Sequence, residues 1–263
     1  VAMVSIEQIL DPISVKNFFQ NYWQKKHLII RRNKFKNIYS FRHLNSYLNR
    51  YPYVRGLQII DYTDKGDGRW CLDKVMSGKL KLPKLKRSDV FKLWKEEGKT
   101  FVIPFAENEN KYLNDIVQEL EKYFEYGQAN VYASPKAMSK SFPPHADSTE
   151  NFLFHTEGKT KWTMYSDKGK TISDQFTLDA GDLLYIPIGV YHKVETIGPR
   201  VLVSVHFKNK PNQTLEKFVI KNSNREQWYD WVPPGFYDKK VIKRNHRLMQ
   251  SGTWKKPYFN WNK

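Results

Sequence analysis

The chain has almost no cysteine, and this sets its first limits. Cys71 is the single thiol among 263 residues, so no internal disulfide and no multi-cysteine zinc site can form. A lone thiol fits a reducing compartment, and a cytoplasmic location is expected. Cys71 itself reads as a small, partly buried hydrophobe. No stretch is long and apolar enough to span a membrane. No basic segment leads into an apolar one near the beginning, so no secretory signal is expected, and Met3 reads as a natural start. Phosphate-cradling glycine loops, nucleophile elbows and internal repeats are missing, which sets aside P-loop enzymes, serine hydrolases of that type and solenoids. Acidic residues are scarce: 27 Asp and Glu stand against 44 Lys and Arg, a formal net charge of +17. Such an excess points to a polyanionic partner, RNA or a ribonucleoprotein, or else to a generally basic, solvated surface.

The chain is long enough to bury a substantial core. Ser5 and Ser14 are plausible helix N-caps before apolar residues spaced by three and four, so residues 5–23 read as helical. Leu28 to Arg32 and Leu57 to Tyr62 read as strands, Phe41 to Leu48 and Ser88 to Glu97 as helices. Residues 112–124 form the clearest amphipathic helix, with Leu113, Ile116, Val117, Leu120 and Phe124 on one stripe. From Ala129 to about Phe207, short alternating segments separated by turn signals predict β structure. Three parts follow: a supporting segment over 1–128, a β core over 129–207 and an extension over 208–263.

Within the β core, Ser-Phe-Pro-Pro-His145-Ala-Asp147 and Gly-Asp182-Leu-Leu-Tyr-Ile-Pro-Ile-Gly-Val-Tyr-His192 carry the chemistry. His145 and Asp147 are two apart, so in an extended strand both side chains leave from one face. A His-x-Asp pair with a distant His is the sequence form of the two-His-one-carboxylate triad, which holds Fe(II) and leaves coordination positions open. His155 and His206 fall in alternating strands and read as barrel histidines. Asp182 reads as a turn residue.

Taken with Asn130-Val-Tyr-Ala-Ser-Pro, Glu-Gly158-Lys-Thr-Lys-Trp162 and the segment Phe19 to Arg31, these motifs resemble the JmjC-type ribosomal oxygenases of the cupin superfamily. The resemblance implies a mainly β fold with helical additions, the double-stranded β-helix or jelly-roll. It also implies an Fe(II)- and 2-oxoglutarate-dependent protein hydroxylase. Carried over residue by residue, His145, Asp147 and His192 match the metal ligands, and Asn130 matches a position that contacts 2-oxoglutarate. Tyr132 and Ser204 match positions facing the substrate side chain. Asn151, with the parity of Asp147, is a further candidate contact to the co-substrate.

One position departs from the pattern. Two residues after the Gly of the Glu-Gly turn, the family has a Lys or Arg that anchors the distal carboxylate of 2-oxoglutarate, and here Thr160 stands there. Alternation puts Thr160 on the face of Trp162 and turns Lys159 and Lys161 the other way. A hydroxyl cannot neutralise a carboxylate, so either another cation supplies the charge or the co-substrate is bound weakly or not at all. Arg200 leads the candidates, ahead of Lys161 and Lys159, because a guanidinium grips a carboxylate bidentately.

The run Lys79 to Arg87 reads as a lysine-protected edge or as a phosphate-contacting arm. The extension interleaves Trp228, Trp231, Trp254 and Trp261 with Lys and Arg, a pattern that either wraps the domain or stacks nucleic-acid bases. The expected function is hydroxylation of a protein side chain, on a ribosomal protein in the family's manner. Hydroxylation of a tRNA base and a non-catalytic, metal- or RNA-binding cupin are the alternatives.

Overall fold

The structure is a computed structural model and describes residues 4–31, 35–50, 57–61, 69–70, 91–124, 127–139 and 141–207. Cys71, the basic run 79–87 and the extension from 208 onward lie outside the described residues. Four α-helices are present among them: α1 (Ile6–Leu10), α2 (Val15–Asn21), α3 (Phe41–Arg50) and α4 (Lys111–Leu120). Ser5 and Ser14 cap α1 and α2 as the sequence predicts, each side chain accepting a backbone N–H three residues on. The cap of α4 is Asn110, whose Oδ1 accepts from the N–H groups of Tyr112 and Leu113. All five residues of its predicted apolar stripe are buried.

The strands are β1 (Leu28–Ile30), β2 (Gln58–Asp61), β3 (Arg69–Trp70), β4 (Thr100–Ile103), β5 (Gly127–Ser134), β6 (Glu150–Glu157), β7 (Lys159–Ser166), β8 (Thr171–Asp179), β9 (Leu183–Ile186), β10 (Tyr191–Thr196) and β11 (Arg200–Phe207). They form two antiparallel sheets. The large one runs β1-β9-β6-β11-β5-β4-β2-β3, and the small one β10-β7-β8. The mainly β fold with helical additions expected from the sequence is thus the fold observed. Four strands of the large sheet come from the segment before residue 128, which therefore completes the sheet as well as bracing it.

Alternation divides the side chains into two cores. On the outer face of the large sheet, Phe152, Tyr185 and Phe207 meet Phe18, Trp23 and Phe124 in a continuous aromatic cluster under the helices. Between the sheets, Leu153, Leu184, Ile186 and Leu202 face Trp162, Met164, Leu178 and Val194 of the small sheet. This second core is the interior of the jelly-roll. The same alternation directs Asn151, His155, Thr160, His192, Arg200 and Ser204 to the interior.

Candidate metal centre

His192 stands on β10, and His145 approaches it from the loop before β6. Two backbone hydrogen bonds join them, His145 N to His192 O at 3.1 Å and His192 N to His145 O at 2.8 Å. A third, from Gly189 N to Asp147 O at 3.0 Å, pins the Asp147 loop to the turn before β10. Chain segments 42 to 47 residues apart are thereby fixed in one register. The ligating atoms of His145, Asp147 and His192 lie within 4.8 Å of one another.

Their orientation suits a cation. Nδ1 of His145 lies 2.8 Å from the Pro143 carbonyl, and Nδ1 of His192 lies 3.0 Å from the Val190 carbonyl. A carbonyl only accepts, so each ring carries its proton on Nδ1 and turns a bare Nε2 towards Asp147. The carboxylate is 3.7 Å from Nε2 of His145 and 3.6 Å from Nε2 of His192, too long for hydrogen bonds. Burial holds His192 below the ordinary imidazole range, so its ring is neutral, the form that binds a metal. Two imidazole nitrogens and one carboxylate oxygen are a donor set fitted to Fe(II), with further positions left open.

The other candidates fall into three groups. Asn151 donates its amide to Asp147 Oδ2 at 2.8 Å and accepts the Ser204 hydroxyl at 3.0 Å, so both residues form a chain that supports the carboxylate. Asn130 and Tyr132 lie half-buried on the interior face of β5, where Asn130 accepts from Gln128 at 2.9 Å. Thr160 is buried on the face of Trp162, whereas Lys159 and Lys161 are exposed on the outer face, and Lys159 pairs with Asp179. The alternation reading of β7 therefore holds, and Lys161 stands outside the interior. Arg200 is 1 % exposed.

Two contacts were not legible in the sequence. His155 Nε2 bonds the Thr160 hydroxyl at 2.9 Å, and the indole N–H of Trp162 donates to the same hydroxyl at 3.0 Å. Spacing hinted only that His155 shares the interior parity of Asn151. Asp182 is a turn residue, as expected, but it also accepts Arg31 Nη1 at 2.6 Å and the Asp179 N–H at 3.0 Å.

Comparison with known proteins agrees with this geometry. Residues 100–215 match the family model described as the JmjC domain. Ribosomal oxygenase 2 of Mus musculus is 30% identical over 217 residues, an alignment covering 72% of this chain and 43% of that protein. Over these residues the chain is similar to JmjC-domain proteins. A relative from Dictyostelium discoideum, named bifunctional lysine-specific demethylase and histidyl-hydroxylase NO66, is 26% identical over 224 residues, covering 75% of this chain and 41% of its own length. The chain thus spans less than half the length of these curated relatives. Among solved structures, the Escherichia coli ribosomal oxygenase YcfD in complex with cobalt and 2-oxoglutarate superposes with a TM-score of 0.54 at 15% identity, over 91% of this chain and 66% of that one. At that identity the likeness is one of fold. The kinship with JmjC-type ribosomal oxygenases expected from the motifs is borne out.

Proposed function

We propose that this chain is an Fe(II)- and 2-oxoglutarate-dependent oxygenase that hydroxylates a protein side chain. The observation that carries it is the convergence of two imidazoles, each already in its ligating tautomer, on one braced carboxylate. When bound, the metal supplies the redox chemistry of dioxygen. The reaction balances as 2-oxoglutarate, dioxygen and a C–H bond giving succinate, carbon dioxide and a C–OH, with one oxygen atom in each oxidised product. The chain's own residues hold and orient. His145, Asp147 and His192 would seat the metal, and the Asn151–Ser204 chain keeps the carboxylate in place. Trp162, Met164, Val194 and Leu202 wall the interior with apolar surface that excludes water. Asn130 and Tyr132 line the interior face of β5, in reach of a co-substrate or a substrate side chain. The net charge of +17 supports a ribosomal protein presented within a ribonucleoprotein.

The test has two arms. Purified protein should bind about one Mn(II) or Fe(II) per chain, and His145→Ala or Asp147→Ala should remove high-affinity binding. With iron, 2-oxoglutarate should be converted to succinate, faster when basic ribosomal proteins are supplied, with a mass gain of one oxygen on a peptide. The same gain on a tRNA nucleoside, or loss of a methyl group from a lysine, would redirect the substrate class. Full metal binding in both variants would sink the triad.

A further inference from the structure

We infer that the distal carboxylate of the co-substrate is gripped by Arg200 of β11 together with the Thr160–His155 pair, the cation having moved from β7 to another strand. This inference rests on the oxygenase reading above. It begins with donors that have nowhere to go. Arg200 is 1 % exposed, and its Nε donates to Ser134 Oγ at 3.2 Å. Its Nη1 is buried without a hydrogen-bond partner, and no carboxylate pairs with it among the described residues. A buried guanidinium lacking a counter-ion is costly, and so is every unmade hydrogen bond.

Beside it lies a second unspent donor. The Thr160 oxygen accepts from Trp162 and bonds His155 Nε2, while His155 Nδ1 is buried and unpartnered. If the hydroxyl donates to Nε2, the ring proton sits on Nδ1 and is unused. If Nε2 donates, the hydroxyl proton is unused instead. In either tautomer the pair has one hydrogen left to offer.

The topology brings these groups together. Leu202 pairs with His155 across β11 and β6, and Arg200 lies on the same interior face as Leu202 and Ser204. Gly158, which turns β6 into β7 two residues before Thr160, lies against the backbone ahead of Arg200. A Cβ there would stand 1.9 Å from the Pro199 carbonyl oxygen and 2.9 Å from Arg200 Cα. Burial, reinforced by the Arg200 charge, lowers His155 to about 4, so the ring is neutral. Burial lowers Arg200 to about 10, which leaves it cationic at neutral pH. A neutral imidazole, a hydroxyl and one cation form a site for a single carboxylate. Ser204, on the same strand face, reaches Asp147 through Asn151, so the anchor and the metal triad serve one interior.

The test compares two keto acids of equal chain length, 2-oxoglutarate and 2-oxopentanoate, which lacks the distal carboxylate. Binding to Mn(II)-loaded protein is measured by calorimetry, without turnover. Wild type should prefer 2-oxoglutarate by at least about tenfold, the scale of a desolvated charge pair. Arg200→Gln should shrink that preference to below about threefold while leaving 2-oxopentanoate affinity and Mn(II) stoichiometry unchanged. Adding Thr160→Lys to Arg200→Gln should bring the preference back in part, because the lysine would enter the same subsite. An Arg200→Gln protein that keeps the wild-type preference overturns the anchor and leaves the oxygenase reading intact. Wild-type protein that binds Mn(II) but neither keto acid overturns the oxygenase reading itself. Should Arg200→Gln not fold, Arg200→Lys decides. Its shorter, non-bidentate head should weaken 2-oxoglutarate by at least about threefold and 2-oxopentanoate not at all. Unchanged affinity for both acids in that variant also counts against the anchor.

Discussion

His145 and His192 share one device: each ring donates to the carbonyl of the residue two before it, at 2.8 and 3.0 Å. The local chain sets the tautomer before any metal arrives, which lowers the ordering cost of binding. The Asp147 carboxylate accepts from Asn151, which in turn accepts from Ser204. Asn151 is therefore a positioning residue. Asn151→Ala should weaken Mn(II) binding by about ten- to a hundredfold without changing its stoichiometry, as loss of an outer hydrogen bond does elsewhere. Unchanged affinity would show that Gly189 and the loop suffice to hold the carboxylate. Reading parity along the sequence placed Asn151 on the correct face but pointed to the co-substrate. Parity reports which way a side chain leaves the strand, and the amide's partner depends on the loop that returns to it.

Among the elements, the β6–β7 turn, which passes the chain from the large sheet to the small one, does most to shape the site. Its turn residue Gly158 has φ +80, and it allows the backbone before Arg200 to approach closely. Gly158→Ala combines a left-handed conformation with a collision against backbone, so it should destabilise the protein by about 2–4 kcal/mol in denaturant unfolding. The same variant should lose preference for 2-oxoglutarate over 2-oxopentanoate. A loss smaller than about 0.5 kcal/mol would mean that the turn relaxes freely. The alternation of Lys159, Thr160 and Lys161 was readable from the sequence because β7 is regular at that point. The bond from Trp162 to Thr160 was not, since it depends on how the indole packs inside the roll.

For the whole molecule, a buried acid outside the triad affects stability. Glu107 accepts the Ala129 N–H at 2.9 Å at the end of β5, and burial pushes its pKa up from 4.5 to about 8. The folded state therefore favours the protonated acid, and the stability this gives is full below about pH 4.5 and is lost as pH rises through 8. Glu107→Gln keeps an acceptor and removes the titration. Relative to wild type it should gain stability progressively from pH 4.5 to 8, by on the order of 3 kcal/mol, and remain level above that. Unfolding free energies across that range provide the check, and a difference independent of pH would mean that Glu107 stays ionised in the fold.

The sequence by itself singled out His145, Asp147 and His192 as a candidate triad, and it determined the helix caps at Ser5 and Ser14, the buried stripe of α4 and the inward face of β7. Each is a local matter: residue type, spacing, and the periods of strand and helix. Tertiary structure alone decided what those side chains meet. It carried β1, β2, β3 and β4 into the same sheet as β5, β6, β9 and β11, and it set Asn151 against Asp147 and His155 against Thr160. It also buried Arg200 with no carboxylate paired to it among the described residues. Such contacts join residues tens of positions apart, and their identity follows from strand order and register. Both are fixed by how the aromatic layer and the interior core pack together, and no single stretch of the chain contains that information.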